Sequence, residues 1–103
     1  MTLDELEVAV QQWSRARGII PLATLNSQLL KAVSEMGELA DAVAKSQFAE
    51  TRDAIGDVTV CLINLAYLSG SSLRECLELA YDEIKDRKGR LLPNGTFVKE
   101  VME

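Results

Sequence analysis

Two stretches decide the fold: QLLKAVSEMGEL, residues 28–39, and DAIGDVTVCLIN, residues 53–64. Around the first, Leu25, Leu29, Val33, Met36, Leu39, Ala40 and Val43 recur at the spacing of one helical face. That periodicity predicts a helix from Thr24 or Asn26 to about Lys45, with those residues as its buried stripe. Around the second, nearly every position from Ala54 to Leu68 is apolar. The expected helix, roughly Glu50 to Ser69, has no solvent face, and a helix apolar all round is buried on every side. One small chain can hardly surround it. A second copy would supply the missing cover, so a homodimer or homotetramer is expected.

Outward from this pair, a first helix is predicted from Thr2 to about Arg17. Glu5 completes a capping box at its start and Gly18 stops it. Its apolar positions are Leu3, Leu6, Val10 and Trp13, and Pro21 marks the loop that follows. A last helix opens at Ser72, with Glu75 as a second capping box, and continues to about Lys88. Leu73, Leu77, Ala80 and Ile84 form its inner face, and Gly89 ends it. Pro93-Asn94-Gly95 signals a turn, and Thr96-Phe97-Val98 a short extended piece. The fold class is therefore all-α: one domain over residues 1–103, a four-helix bundle completed by homo-oligomerisation, with a short non-helical tail.

Composition agrees. Apolar residues make up 48% and aromatics only 5%, which favours helices over a sandwich or barrel. The net charge of −5 and the lack of a Lys/Arg run argue against nucleic acid as a partner. With no His, the usual general base and zinc ligand are missing. Cys61 and Cys76 lack zinc spacing and read as reduced packing residues. The acidic start, Met-Thr-Leu-Asp-Glu, is no signal peptide. The run from Ala54 to Leu68 is interrupted by Asp57, Thr59 and Asn64 and is too short to span a bilayer, so a cytoplasmic location and no membrane partner are expected.

The polar residues carry the functional signal. Gln28, Lys31, Glu35 and Glu38 follow a three-four-three spacing and line one helical stripe. Asp53, Asp57 and Asn64 fall within roughly 40° of one another on the next long helix. A buried carboxylate is costly unless it is paired or coordinated. Either Asp57 pairs with Lys31, or several carboxylates share a divalent cation. Oxygen ligands without His or thiolate suit Mg²⁺, with Mn²⁺ able to substitute.

Gln28-x-x-Lys31-x-x-x-Glu35-x-x-Glu38-Leu39 followed by Asp53-Ala-Ile-Gly56-Asp57-Val58 resembles the MazG-like branch of the all-alpha NTP pyrophosphatases. That superfamily also holds dimeric dUTPases and dCTP pyrophosphatases. The resemblance extends to Trp13 with Arg17-Gly18, to residues 80–89, and to Asn94-Gly95-Thr96-Phe97-Val98-Lys99-Glu100, which look like small, often phage-encoded members. It implies hydrolysis of an NTP or dNTP between the α and β phosphates, giving the monophosphate and pyrophosphate. Glu35, Glu38 and Asp57 match the metal-binding positions of the family's Glu-x-x-Glu and Glu-x-x-Asp hallmark. Ala54 stands where the second motif has its Glu, and Asp53 is the candidate fourth ligand, with a water as the alternative.

On this reading Mg²⁺ is held by Glu35, Glu38, Asp57 and Asp53, and Glu35 or Glu38 accepts the proton from the attacking water. Lys31, Lys85 and Arg87 are candidates to clamp phosphates. Trp13 would stack on the base, and Asn64 or Gln28 would hydrogen-bond it. The rival expectations are a structural or regulatory helical dimer, with Asp57 paired to Lys31, and a family member that binds nucleotides without hydrolysing them.

Overall fold

A computed structural model describes residues 1–100. Five helices and a hairpin follow in order: α1 (Leu3–Ala16), α2 (Ile19–Leu22), α3 (Leu25–Ala44), α4 (Phe48–Leu68), α5 (Leu73–Ile84), β1 (Gly89–Leu91) and β2 (Phe97–Lys99).

Local chemistry sets most helix ends. Thr2 Oγ1 accepts from Glu5 N–H while the Glu5 carboxylate accepts from Thr2 N–H, the reciprocal cap read from the sequence. Thr24 and Ser27 make a second such box at the start of α3. At α5 only half of the expected box forms. Ser72 Oγ accepts from Glu75 N–H, but the Glu75 carboxylate turns to the Ser71 hydroxyl at 2.7 Å.

Two boundaries depart from expectation. The loop around Pro21 contains the short α2, and Ile20 within it leaves helical dihedrals, so this is a kinked turn rather than a regular helix. Gly18, at φ +79°, makes the left-handed step into it. α5 ends at Ile84 instead of Lys88, because the chain is drawn into a hairpin: Glu100 N–H donates to Lys88 O at 2.7 Å, and Gly89 pairs with Lys99. A Cβ at Gly89 would collide with the Val98 carbonyl and the Phe97 ring, so the strands close only over glycine. The tail is thus an antiparallel ribbon, turned by Asn94-Gly95, with Gly95 at φ +88°.

α3 and α4 form the most extensive packing, joined by the short segment Lys45–Gln47, and α1 lies across α4. The buried apolar residues are small for the most part: Ala32, Ala42, Ala54, Cys61 and Ala66, with Ile20 and Ile63 as the larger members. The predicted stripe of α3 is not in this core. Leu25, Leu29, Val33, Met36 and Val43 are exposed, with Ala40, and Leu39 is only half-buried. The inner face expected for α5 is likewise open: Leu77, Ala80 and Ile84 are exposed, and no residue of α5 is buried. The helical periodicity was read correctly, but it marks faces that this chain alone leaves uncovered. Cys61 is buried as expected, whereas Cys76 on α5 is exposed. The radius of gyration, 16.2 Å, exceeds the roughly 13 Å of a compact chain of this length.

α5 turns away from α4 by 96° at Gly70, where φ is +86°. Its start is fixed from a distance by Glu7, only 8% exposed. The two Glu7 oxygens accept from Leu73 N–H at 2.6 Å and Arg74 N–H at 3.2 Å, which satisfies free amides at a helix N-terminus. Arg74 also pairs with Asp4. Among the described residues, no single helix is long and apolar enough to cross a membrane.

Ile20 is the largest fully buried side chain, at 1% exposure. Ile20→Ala is expected to cost about 2–5 kcal/mol, read as a fall in the urea midpoint with unchanged slope.

Candidate metal centre

Glu35 and Glu38 lie three residues apart on α3, and Asp57 faces them from α4. Each offers one carboxylate oxygen, and these three atoms lie within 4.8 Å of one another. Such convergence of three anions is unfavourable without a counter-charge. Lys31, one turn before Glu35, supplies part of it at 3.1 Å. The expected alternative, Lys31 pairing with Asp57, is not the pair that forms.

Glu35 is the key group, 8% exposed. One of its oxygens meets Lys31, and the other, Oε2, is buried without a hydrogen-bond partner. An orphaned buried carboxylate oxygen is rare in folded proteins and points to a proton, a water or a cation in that place. The Lys31 ammonium and then the Glu38 carboxyl hold Glu35 below the usual carboxylate range. Glu38 shifts the other way: sharing a proton with Glu35 and lying beside its charge raise it. Lys31 is raised in turn by its bond to Glu35. A divalent cation between the two carboxylates would offset the repulsion that raises Glu38.

Two recesses flank the cluster. On one side lies an acidic recess of 310 Å³, bounded by Glu38, Asp41, Glu50, Asp53 and Asp57. Asp53 belongs here, beside the cluster rather than within it. Ala54 is buried behind it. On the other side a cavity of 510 Å³ runs from Lys31, Glu35 and Asp57 to an apolar wall of Leu6, Val10, Trp13 and Val60. Trp13 is 45% exposed and faces this space rather than sitting in the core. The Arg17 guanidinium lies over its ring, 4.3 Å from the centroid.

The remaining expected residues are placed elsewhere. Asn64 is 2% exposed and bonds internally, accepting from the Ser14 hydroxyl at 2.6 Å and donating to Gln28 Oε1 at 3.2 Å. Lys85 pairs with Asp82 at 3.5 Å. Arg87 lines a separate open recess under the hairpin with Lys88, Arg90 and Lys99, so within one chain this basic cluster borders neither recess beside the carboxylates. The sequence reading missed Leu6 and Val10 as cavity wall, although their helical spacing to Trp13 was visible. It also missed Cys61, whose buried thiol borders the same cavity and is pushed up by burial and by Glu35.

No protein-family model matches the chain, and no solved structure matches it significantly. Over 64 residues, 62% of its length, the chain is 34% identical to an uncharacterized 18.2 kDa protein from the rep–hol intergenic region of Haemophilus phage HP1 (strain HP1c1). The match spans 39% of that protein, so the chain corresponds to about two fifths of this relative.

The opposed shifts give opposite pH signatures. The favourable contribution of Glu35 is present above the ordinary carboxylate range and is lost as pH falls through its depressed value. Glu38 behaves in reverse: its contribution is full at low pH and is lost as pH rises through its elevated value. At neutral pH without divalent cations, Glu38→Gln should raise the thermal midpoint and Glu35→Gln should lower it. Differential scanning fluorimetry in chelator reads both.

Proposed function

We propose that this chain is a Mg²⁺-dependent nucleoside triphosphate pyrophosphohydrolase. The observation that carries the reading is the orphaned, buried Oε2 of Glu35 inside a three-carboxylate cluster, at the mouth of a cavity walled by an indole. The donor set, all carboxylate oxygen, fits Mg²⁺ or Mn²⁺. Glu35, Glu38 and Asp57 would hold the cation, with Asp53 or a water completing its coordination. When bound, Mg²⁺ neutralises phosphate charge and acidifies a water. The MazG-like spacing of these residues supports the same assignment.

The chain's own groups then divide the work. Lys31, anchored by Glu35 at the cavity mouth, attracts the triphosphate. Glu38 or Glu35 takes the proton of the water that attacks the α-phosphorus. The bond from that phosphorus to the bridging oxygen breaks, and pyrophosphate leaves with the bond's electron pair. Trp13 and its apolar neighbours receive the base. Ala54, in place of the motif Glu, favours one second reading: a protein that binds nucleotides with metal but does not cleave them.

The same reading includes a homodimer or homotetramer. Its support is the uncovered stripe of α3, where Leu29 is 52% exposed and Val33 59%.

Purified protein with Mg²⁺ is expected to release pyrophosphate from dNTPs, and Glu38→Gln or Asp57→Asn to lower the rate by at least about 100-fold. Unchanged release in both variants would sink the mechanism. Saturating Mg²⁺ should also raise the melting temperature of the wild type but not of Asp57→Asn. For assembly, Val33→Asp should convert the oligomer to a smaller species in light scattering with helicity retained by circular dichroism.

A further inference from the structure

Among the described residues, the buried polar side chains are Glu7, Ser14, Glu35 and Asn64. Glu7 caps α5, and Glu35 belongs to the carboxylate cluster. The other two bond to each other and to a third helix. Ser14 Oγ, on α1, donates to Asn64 Oδ1, on α4, at 2.6 Å. With its oxygen engaged, the Asn64 amide presents its nitrogen to α3 and donates to Gln28 Oε1 at 3.2 Å. Ser14 and Asn64 are buried and Gln28 is half-buried, so the ladder runs from the interior to the edge of the α3–α4 seam. Every partner in it comes from one chain.

Its position relates it to the carboxylates. Gln28 precedes Glu35 by seven residues, and Asn64 follows Asp57 by seven. Seven residues make two turns and return to nearly the same face, about 10 Å along the axis. The antiparallel pair α3–α4 thus carries the Gln28–Asn64 bond and the approach of Glu35 to Asp57 in one register. The segment Lys45–Gln47 joins the helices at one end, the ladder joins them at the other, and the carboxylates lie between. The seam itself is mostly small and apolar: Ala32, Ala42, Ala54 and Cys61. Contacts of that kind tolerate rotation and sliding. A buried polar bond is satisfied at one register and costly at the others.

We propose that the Ser14–Asn64–Gln28 ladder sets the register of α3 on α4, and through it the spacing of Glu35 and Glu38 from Asp57. It rests on the metal reading above in one respect, that this spacing serves a cation. Asn64 and Gln28 are positioning residues for the carboxylates instead of contacts for a base. Ser14 orients the Asn64 amide, so that the nitrogen and not the oxygen meets Gln28. Gln28 enters the ladder as an acceptor alone, so a carboxylate can take its place and a hydrocarbon cannot.

Two measurements on the intact chain test this. One is amide hydrogen exchange along α3 in chelator. The other is Mn²⁺ binding, followed by the electron paramagnetic resonance of the free ion. Gln28→Leu is expected to speed exchange over residues 28–38 by about tenfold and to weaken Mn²⁺ by a similar factor. Its melting temperature should stay within about 3 °C of the wild type, because residue 28 is half-buried. Gln28→Glu keeps the acceptor and should restore both readings. Ser14→Ala combined with Asn64→Leu removes both buried polar groups together, so neither is orphaned, and should reproduce the Gln28→Leu changes with little loss of stability. If that double variant does not fold, the two Gln28 variants decide alone. Exchange along α3 at the wild-type rate in Gln28→Leu would overturn the proposal. So would changes that Gln28→Glu fails to reverse, since those belong to an ordinary stabilising contact. A wild type that binds no Mn²⁺ would remove the metal reading and leave the register to the exchange data. Tight Mn²⁺ binding that is indifferent to Gln28→Leu would spare the metal reading and remove the ladder's part in it.

Discussion

Close approach of α3 and α4 is the constraint on which the rest depends. Small side chains (Ala32 and Ala42 on α3, Ala54 and Cys61 on α4) are the ones that become buried. Small residues let two helices come near, and here nearness places Asp57 opposite Glu35 and Glu38. Larger residues at these positions would separate the helices and dissolve the cluster. The burial that holds the helices together is therefore also what makes the acidic cluster costly. Lys31 offsets part of that cost through one oxygen of Glu35 and leaves the other unanswered.

The division of labour within the chain follows from this seam. α1 lies over α4 and closes the apolar side of the cavity, so its Trp13 meets the space that the carboxylates open. Ser14, its neighbour in sequence, points inward to Asn64 and locks α1 to α4 by a buried hydrogen bond. Adjacent residues on one helix thus do different work, one as wall and one as anchor. Glu7, two turns earlier, fixes the start of α5. The first helix is the connector through which the carboxylate cluster and the C-terminal arm are held in one piece.

Much of this was legible in the residues. Helix positions, the cap at Thr2 and the shared stripe of Glu35 and Glu38 follow from spacing and capping chemistry. Burial was not legible, because periodicity locates an apolar face without saying what covers it. The stripe containing Leu29 and Val33 reads as core by pattern, yet within one chain it faces outward. The partner of Lys31 depended on local geometry: at three to four residues' separation Glu35 was always in reach, whereas Asp57 required a tertiary distance that sequence does not encode directly. Asn64 was recognised as a polar exception in an apolar helix. Its partner, Ser14, lies 50 residues away and could not be assigned without the fold.

The uncovered leucines of α3 and α5 bear on how much of this protein a cell can keep. If a second copy hides them, the solitary form displays Leu30 and Leu77 to chaperones and proteases whenever the chain is scarce. Its half-life would then lengthen as its abundance grows, and accumulation would rise steeply with synthesis instead of in proportion to it. A gene dosage that merely halves expression would deplete the protein by more than half.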